Sequence, residues 1–105
     1  MVYRTLRGEE IDTDALPPEH RTVLSEVEVR YKRGEDYPDF FNLVNSQETL
    51  RRIGTQPDGQ GEYWITPEVA DLPIYKILQD LADRAGIKQG YMRPNKTDIV
   101  IDTIF

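Results

Sequence analysis

Ile74, Ile77, Leu78, Leu81, Ala82 and Ala85 recur at helical spacing and draw the longest apolar stripe in the chain. Residues three and four apart on a helix share one face, so this stripe demands a helix with something to bury against. Everything else in a chain of 105 residues must be arranged around it. Pro73 sets the start near Asp71–Pro73, because proline suits the first helical turn and disrupts the interior. Gly86, with Ile87 beside it, predicts a left-handed cap and a helix ending at Ala85.

A second amphipathic stretch opens at Pro17-Pro18-Glu19. His20, Val23, Leu24, Val27 and Tyr31 share one face there, and Val29 is out of register. Lys32 and Arg33 complement the C-terminal dipole, and Gly34 is the natural stop. Asp36 caps a short helix through Phe40, Phe41 and Val44. Ser46 recaps a third short helix that ends at Ile53, before Gly54. Residues 55–61 hold no residue expected in a core and two glycines, which makes them a loop and the most mobile interior stretch by composition. Thr66-Pro67-Glu68 reads as a cap and first turn.

Val2–Leu6 alternates weakly, as a short strand would, and residues 9–14 read as acidic and turn-like. Residues 99–105 are β-branched without a breaker and read as a C-terminal strand, paired internally with Val2–Leu6 or across a dimer. The expected fold is therefore a mainly helical α+β domain spanning 1–105, with three or four short helices and a minor sheet that uses the C-terminal strand. At 38% hydrophobic and 30% charged content, its core is thin, and a homodimer is as natural as a monomer.

Charge and chemistry narrow the function classes. The net charge is −6, divided evenly: residues 1–53 carry 8 basic and 11 acidic side chains, residues 54–105 carry 5 and 8. That field opposes phosphate neutralisation, so nucleic acid is disfavoured as a partner. The absence of cysteine removes disulfides, thiolate metal sites and cysteine nucleophiles, and suits a reducing cytoplasm. No apolar run reaches the length of a membrane span. With one histidine, His20, a histidine-based zinc site lacks donors, and a half-buried, hydrogen-bonded histidine is its plain reading. Glu9, Glu10, Asp12, Asp14 and Glu19 form an acidic cluster without the calcium-loop pattern. Gly59-Gln60-Gly61 lacks the lysine and helix start of a phosphate cradle. No nucleophile stands at a diagnostic spacing, so catalytic, cofactor and metal residues are all assigned as none.

The stretch 78–92 resembles a helix-turn-helix over about fifteen residues, with Ala82 as the small residue, Gly86 as the turn glycine and Ile87 and Met92 as anchors. Lys88, Gln89 and Arg93 would face nucleic acid. Gly90 and Pro94 shorten the second helix, and the plainer reading is a capped helix followed by a connector.

Tyr37, Phe40, Phe41, Tyr63 and Trp64 are the remaining candidates. Rings at loop edges serve first as lids on a small core and second as partner-binding anchors. The leading expectation is a non-enzymatic protein-interaction or regulatory module, bound to an unidentified protein or to itself. A DNA-binding regulator using 78–92 is the first alternative. The second is a small carboxylate- or metal-dependent enzyme whose acids converge only in the fold.

Overall fold

A computed structural model describes residues 1–90. Two strands, β1 (Val2–Arg4) and β2 (Glu10–Asp12), precede five helices: α1 (Pro18–Lys32), α2 (Tyr37–Val44), α3 (Gln47–Arg52), α4 (Pro67–Ala70) and α5 (Pro73–Lys88). The mainly helical α+β expectation holds. The sheet, however, is an N-terminal antiparallel hairpin, with Val2 opposite Asp12, Tyr3 opposite Ile11 and Arg4 opposite Glu10. The acidic stretch expected to be turn-like supplies β2, because Ile11 alternates with outward acids and places one apolar side chain inward. The strand expected at 99–105 lies outside the described residues.

The apolar stripe of α5 is buried along its whole length: Ile74, Ile77, Leu78, Leu81, Ala82 and Ala85 are all core residues. Helix α5 packs against α1 and α2, and α3 packs against both of those in turn. Val23, Leu24 and Val27 of α1, Phe40 and Val44 of α2, and Leu50 and Ile53 at α3 complete the core. Out-of-register Val29 is 49% exposed.

Capping follows local chemistry. The Ser46 hydroxyl accepts from the Thr49 N–H and starts α3; the Thr66 hydroxyl accepts from the Val69 N–H and starts α4. Helices α1, α2, α4 and α5 each carry proline in the first turn.

The stop expected at Gly86 is not there. Helix α5 runs through it to Lys88, and the left-handed residue is Gly90, at φ +90°. Gly86 serves a packing purpose instead. A Cβ at this position would stand 2.9 Å from Cε1 and 3.0 Å from Cδ1 of Tyr37. The missing side chain is what lets α2 lay its tyrosine ring on α5. The helix-turn-helix turn expected at this glycine is therefore continuous helix, and Met92 and Pro94 lie outside the described residues.

Candidate functional site

The two candidate surfaces fare differently. Of the residues placed toward nucleic acid, Gln89 is spent on structure. Its Oε1 accepts from the Tyr37 N–H at 2.7 Å, and its Nε2 donates to the Glu35 carbonyl at 2.8 Å. It thus ties the end of α5 to the start of α2. The Lys88 ammonium lies over the Tyr31 ring, 4.9 Å from its centroid. Arg93 lies outside the described residues.

The aromatic candidates divide between core and surface. Phe40 is fully buried and meets Tyr31 edge-on with ring centroids 6.0 Å apart, so it seals the core and is withdrawn from any contact surface. Tyr37 is half-buried on Gly86, and its ring lies 5.9 Å from that of Phe41. Phe41 remains 38% exposed. Tyr63 packs in part against the core. Trp64 does not: 58% of it is exposed, and its neighbour Ile65 is 43% exposed.

What holds Trp64 there is a built turn. The Asp58 N–H donates to the Glu62 carbonyl at 2.8 Å, and Pro57 and Tyr63 form a single antiparallel bridge. Asp58 Oδ1 accepts from the N–H groups of Gln60 and Glu62, at 2.8 and 3.0 Å. Asp58 Oδ2 accepts from the Trp64 indole Nε1 at 2.7 Å. The Glu62 N–H, the indole and the Gln60 N–H together hold the Asp58 carboxyl below the ordinary aspartate range. From outside the turn, the Gln47 side chain brackets Tyr63, accepting from its N–H at 2.7 Å and donating to its carbonyl at 2.8 Å. The loop expected to be the most mobile by composition is thus closed by its own hydrogen bonds. Thr55 within it is buried, donating its hydroxyl to the Leu50 carbonyl at 3.0 Å.

Asp58 and Ile65 were not among the residues singled out by sequence pattern. Asp58 had a signal, since Pro57-Asp58-Gly59 is a turn signature in which the aspartate bonds to backbone two residues on. Ile65 had none beyond its place beside Trp64.

The catalytic alternative finds one cleft of about 430 Å³, bordered by Leu6, Glu9, Asp71, Tyr75, Lys76, Asp80 and Asp83 among others. Its deepest charge, Asp80, is 6% exposed and fully engaged. Oδ1 accepts from the Leu6 N–H at 2.8 Å, and Oδ2 accepts from the Tyr3 hydroxyl at 2.5 Å and Arg84 Nε at 2.7 Å. Burial, then the bond to Asp80, pushes the Tyr3 phenol well above its usual range. This carboxylate fastens the hairpin to α5. His20 stands elsewhere, donating from Nε2 to the Ile53 carbonyl at 2.9 Å. Among the N-terminal acids, Glu9 meets Lys76, Glu10 meets Arg4 and Glu19 meets Arg52. Among the described residues, no group of three or more His, Asp or Glu could hold a metal ion, and no helix is long and apolar enough to cross a membrane.

No protein-family model, curated protein or solved structure matches the chain.

Proposed function

We propose that the protein is a non-enzymatic interaction module, working in the cytoplasm, whose contact surface is centred on Trp64 and Ile65. One observation carries this reading: the only tryptophan in the chain is mostly exposed, yet its orientation is fixed by Asp58. Rigid, amphipathic rings give large contact area at small entropic cost, and they dominate the energetics of protein interfaces. A small domain with a thin core would gain from burying an indole, and here the core is sealed by Phe40 and Ile53 without it. The partner is a second protein or a second copy of this chain.

The test compares the wild-type chain with Trp64→Ser/Ile65→Ser. Cross-linked capture from the source cell is identified by mass spectrometry, and light scattering is run alongside. The expected result is a partner, or a self-dimer, that is present with wild type and lost with the double variant at unchanged melting temperature. Retention of the same partner and the same mass by the variant would place the interface elsewhere.

A further inference from the structure

The charge of the chain is even between its halves but not along its length. From Gly54 to Tyr75 there are four acids, Asp58, Glu62, Glu68 and Asp71, and no lysine, arginine or histidine. This stretch carries −4; residues 34–50 carry as much, but there Glu35 and Glu48 are paired with Arg30 and Arg51. All four acids from Gly54 to Tyr75 are exposed, and none of them forms an ion pair among the described residues. Outside this stretch Glu28, Asp36 and Asp39 also lack an ion pair among the described residues, but Arg30, Lys32 and Arg33 lie close to them in sequence. Arg30 grips Glu35 with two hydrogen bonds, Arg52 bridges Glu19 and Glu26, and Arg84 holds Asp80. A run of four unpaired acids with no cation of its own therefore contains the exposed indole.

Trp64 and Ile65 stand in the middle of that stretch, two and three residues after Glu62 and four and three before Glu68. Asp58 is occupied by the turn. Glu62, Glu68 and Asp71 are not needed to hold it. An indole face attracts a guanidinium or ammonium more strongly than any other aromatic ring does, and nearby carboxylates add to that attraction. The same charges repel phosphate backbones and anionic lipid surfaces.

We infer that the Trp64–Ile65 surface takes a basic protein segment, in which arginine or lysine alternates with an apolar side chain. The apolar side chain covers Ile65, the cation lies against the indole, and the remaining cations meet Glu62, Glu68 and Asp71, the last of which also borders the cleft beside Lys76. This inference rests on the interaction reading above and adds the chemistry of the partner.

Because Trp64 is the only tryptophan, its emission reports binding directly. The probes are two short fluorescein-labelled peptides, one alternating arginine with leucine and the other glutamate with leucine, at physiological salt. Anisotropy of the label is read beside the indole emission. The arginine–leucine peptide is expected to bind and shift the emission, and the glutamate–leucine peptide to do neither. Glu62→Gln/Glu68→Gln/Asp71→Asn should weaken binding about tenfold, three exposed pairs at typical strength. Glu28→Gln/Asp36→Asn/Asp39→Asn changes net charge equally and should leave binding within about twofold, since those acids lie outside the surface. Equal binding of the two peptides, equal weakening by the two triple variants, or no binding of the arginine peptide overturns the inference about charge. Undiminished binding of the arginine peptide to Trp64→Ser/Ile65→Ser overturns the interaction surface itself, and with it the reading on which the inference rests.

Discussion

Asp80→Ala should be the most damaging single change outside the apolar core, and the structure allows its cost to be worked out. The carboxylate serves the Leu6 N–H, the Tyr3 hydroxyl and Arg84 Nε. Removing it strands the part-buried Leu6 amide, at about 1–3 kcal/mol for a buried donor left without a partner. The part-buried Tyr3 hydroxyl loses its acceptor, which costs about 1 kcal/mol. The Arg84 side chain is 35% exposed and regains water, so its share is about 1 kcal/mol or less after solvent screening. The sum is about 2–5 kcal/mol, overlapping what breaking a buried charge pair costs. For a chain of this size that is a drop of about 10–40 °C in melting temperature.

The damage should also be local before it is global. Neither strand holds a fully buried residue; Tyr3 and Ile11 pack only in part against the core, and the hydrogen-bonded ties to α5 are Asp80, the Arg84 bond to the Arg4 carbonyl at 2.9 Å, and Lys76 on Glu9. Hydrogen exchange followed by mass spectrometry should show protection lost first in residues 1–13 of Asp80→Ala, with α1 and α2 protected until global unfolding. Urea melts give the total. A change under about 1 kcal/mol would refute the sum, because it would mean the carboxylate is already screened by water in the folded state. Loss of protection spread evenly over all helices would refute the latch.

Gly86→Ala is expected to destabilise by about 1 kcal/mol in denaturant melts, against the ordinary preference for alanine in helices, because the new methyl meets the Tyr37 ring; a gain in stability would show that the ring yields freely. Asp58 has a folded pKa below its unfolded value, so its contribution is fully present above about pH 4 and is lost as pH falls through the depressed folded value. The Trp64 emission should therefore be flat from neutral pH down to about pH 4 and change only below it, and Asp58→Asn should remove that acid transition while leaving α5 helicity in circular dichroism intact.

Where a residue's role depended on its neighbours along one helix, it could be read from sequence. The α5 stripe, the face of α1 and the Ser46 and Thr66 caps are set within a turn or two of chain, and all stand where periodicity and capping chemistry place them. What depended on another element could not. Gly86 looks like a stop because the reason for its missing Cβ, Tyr37, is far away in sequence. Gln89 looks like a base-contacting side chain because its partners, Tyr37 and Glu35, belong to α2 and the segment before it. Asp80 drew no reading because its partners Tyr3 and Leu6 stand at the other end of the sequence. Asp58 was the recoverable omission: the Pro57-Asp58-Gly59 signature announces a turn that holds its own backbone.

The two aspartates that pattern reading passed over explain why the proposed interaction surface can be separate from the stability of the fold. Asp80 uses its oxygens inward and fastens one element to another; its loss releases structure. Asp58 uses its oxygens on its own turn and on the exposed indole; of the outward acids that follow it, Glu68 bonds only within its own cap, to its own N–H and Thr66, and none forms an ion pair among the described residues. Substitutions at Trp64, Ile65, Glu62, Glu68 and Asp71 therefore remove surface chemistry without removing a core contact, and exposed positions of that kind usually change stability by less than about 0.5 kcal/mol. On the proposed reading, a large ring held in one orientation outside the core serves a contact surface. That argument is independent of the identity of the partner, and it is why Trp64 carries the proposed function in preference to Phe40, whose ring is wholly explained by the core it closes.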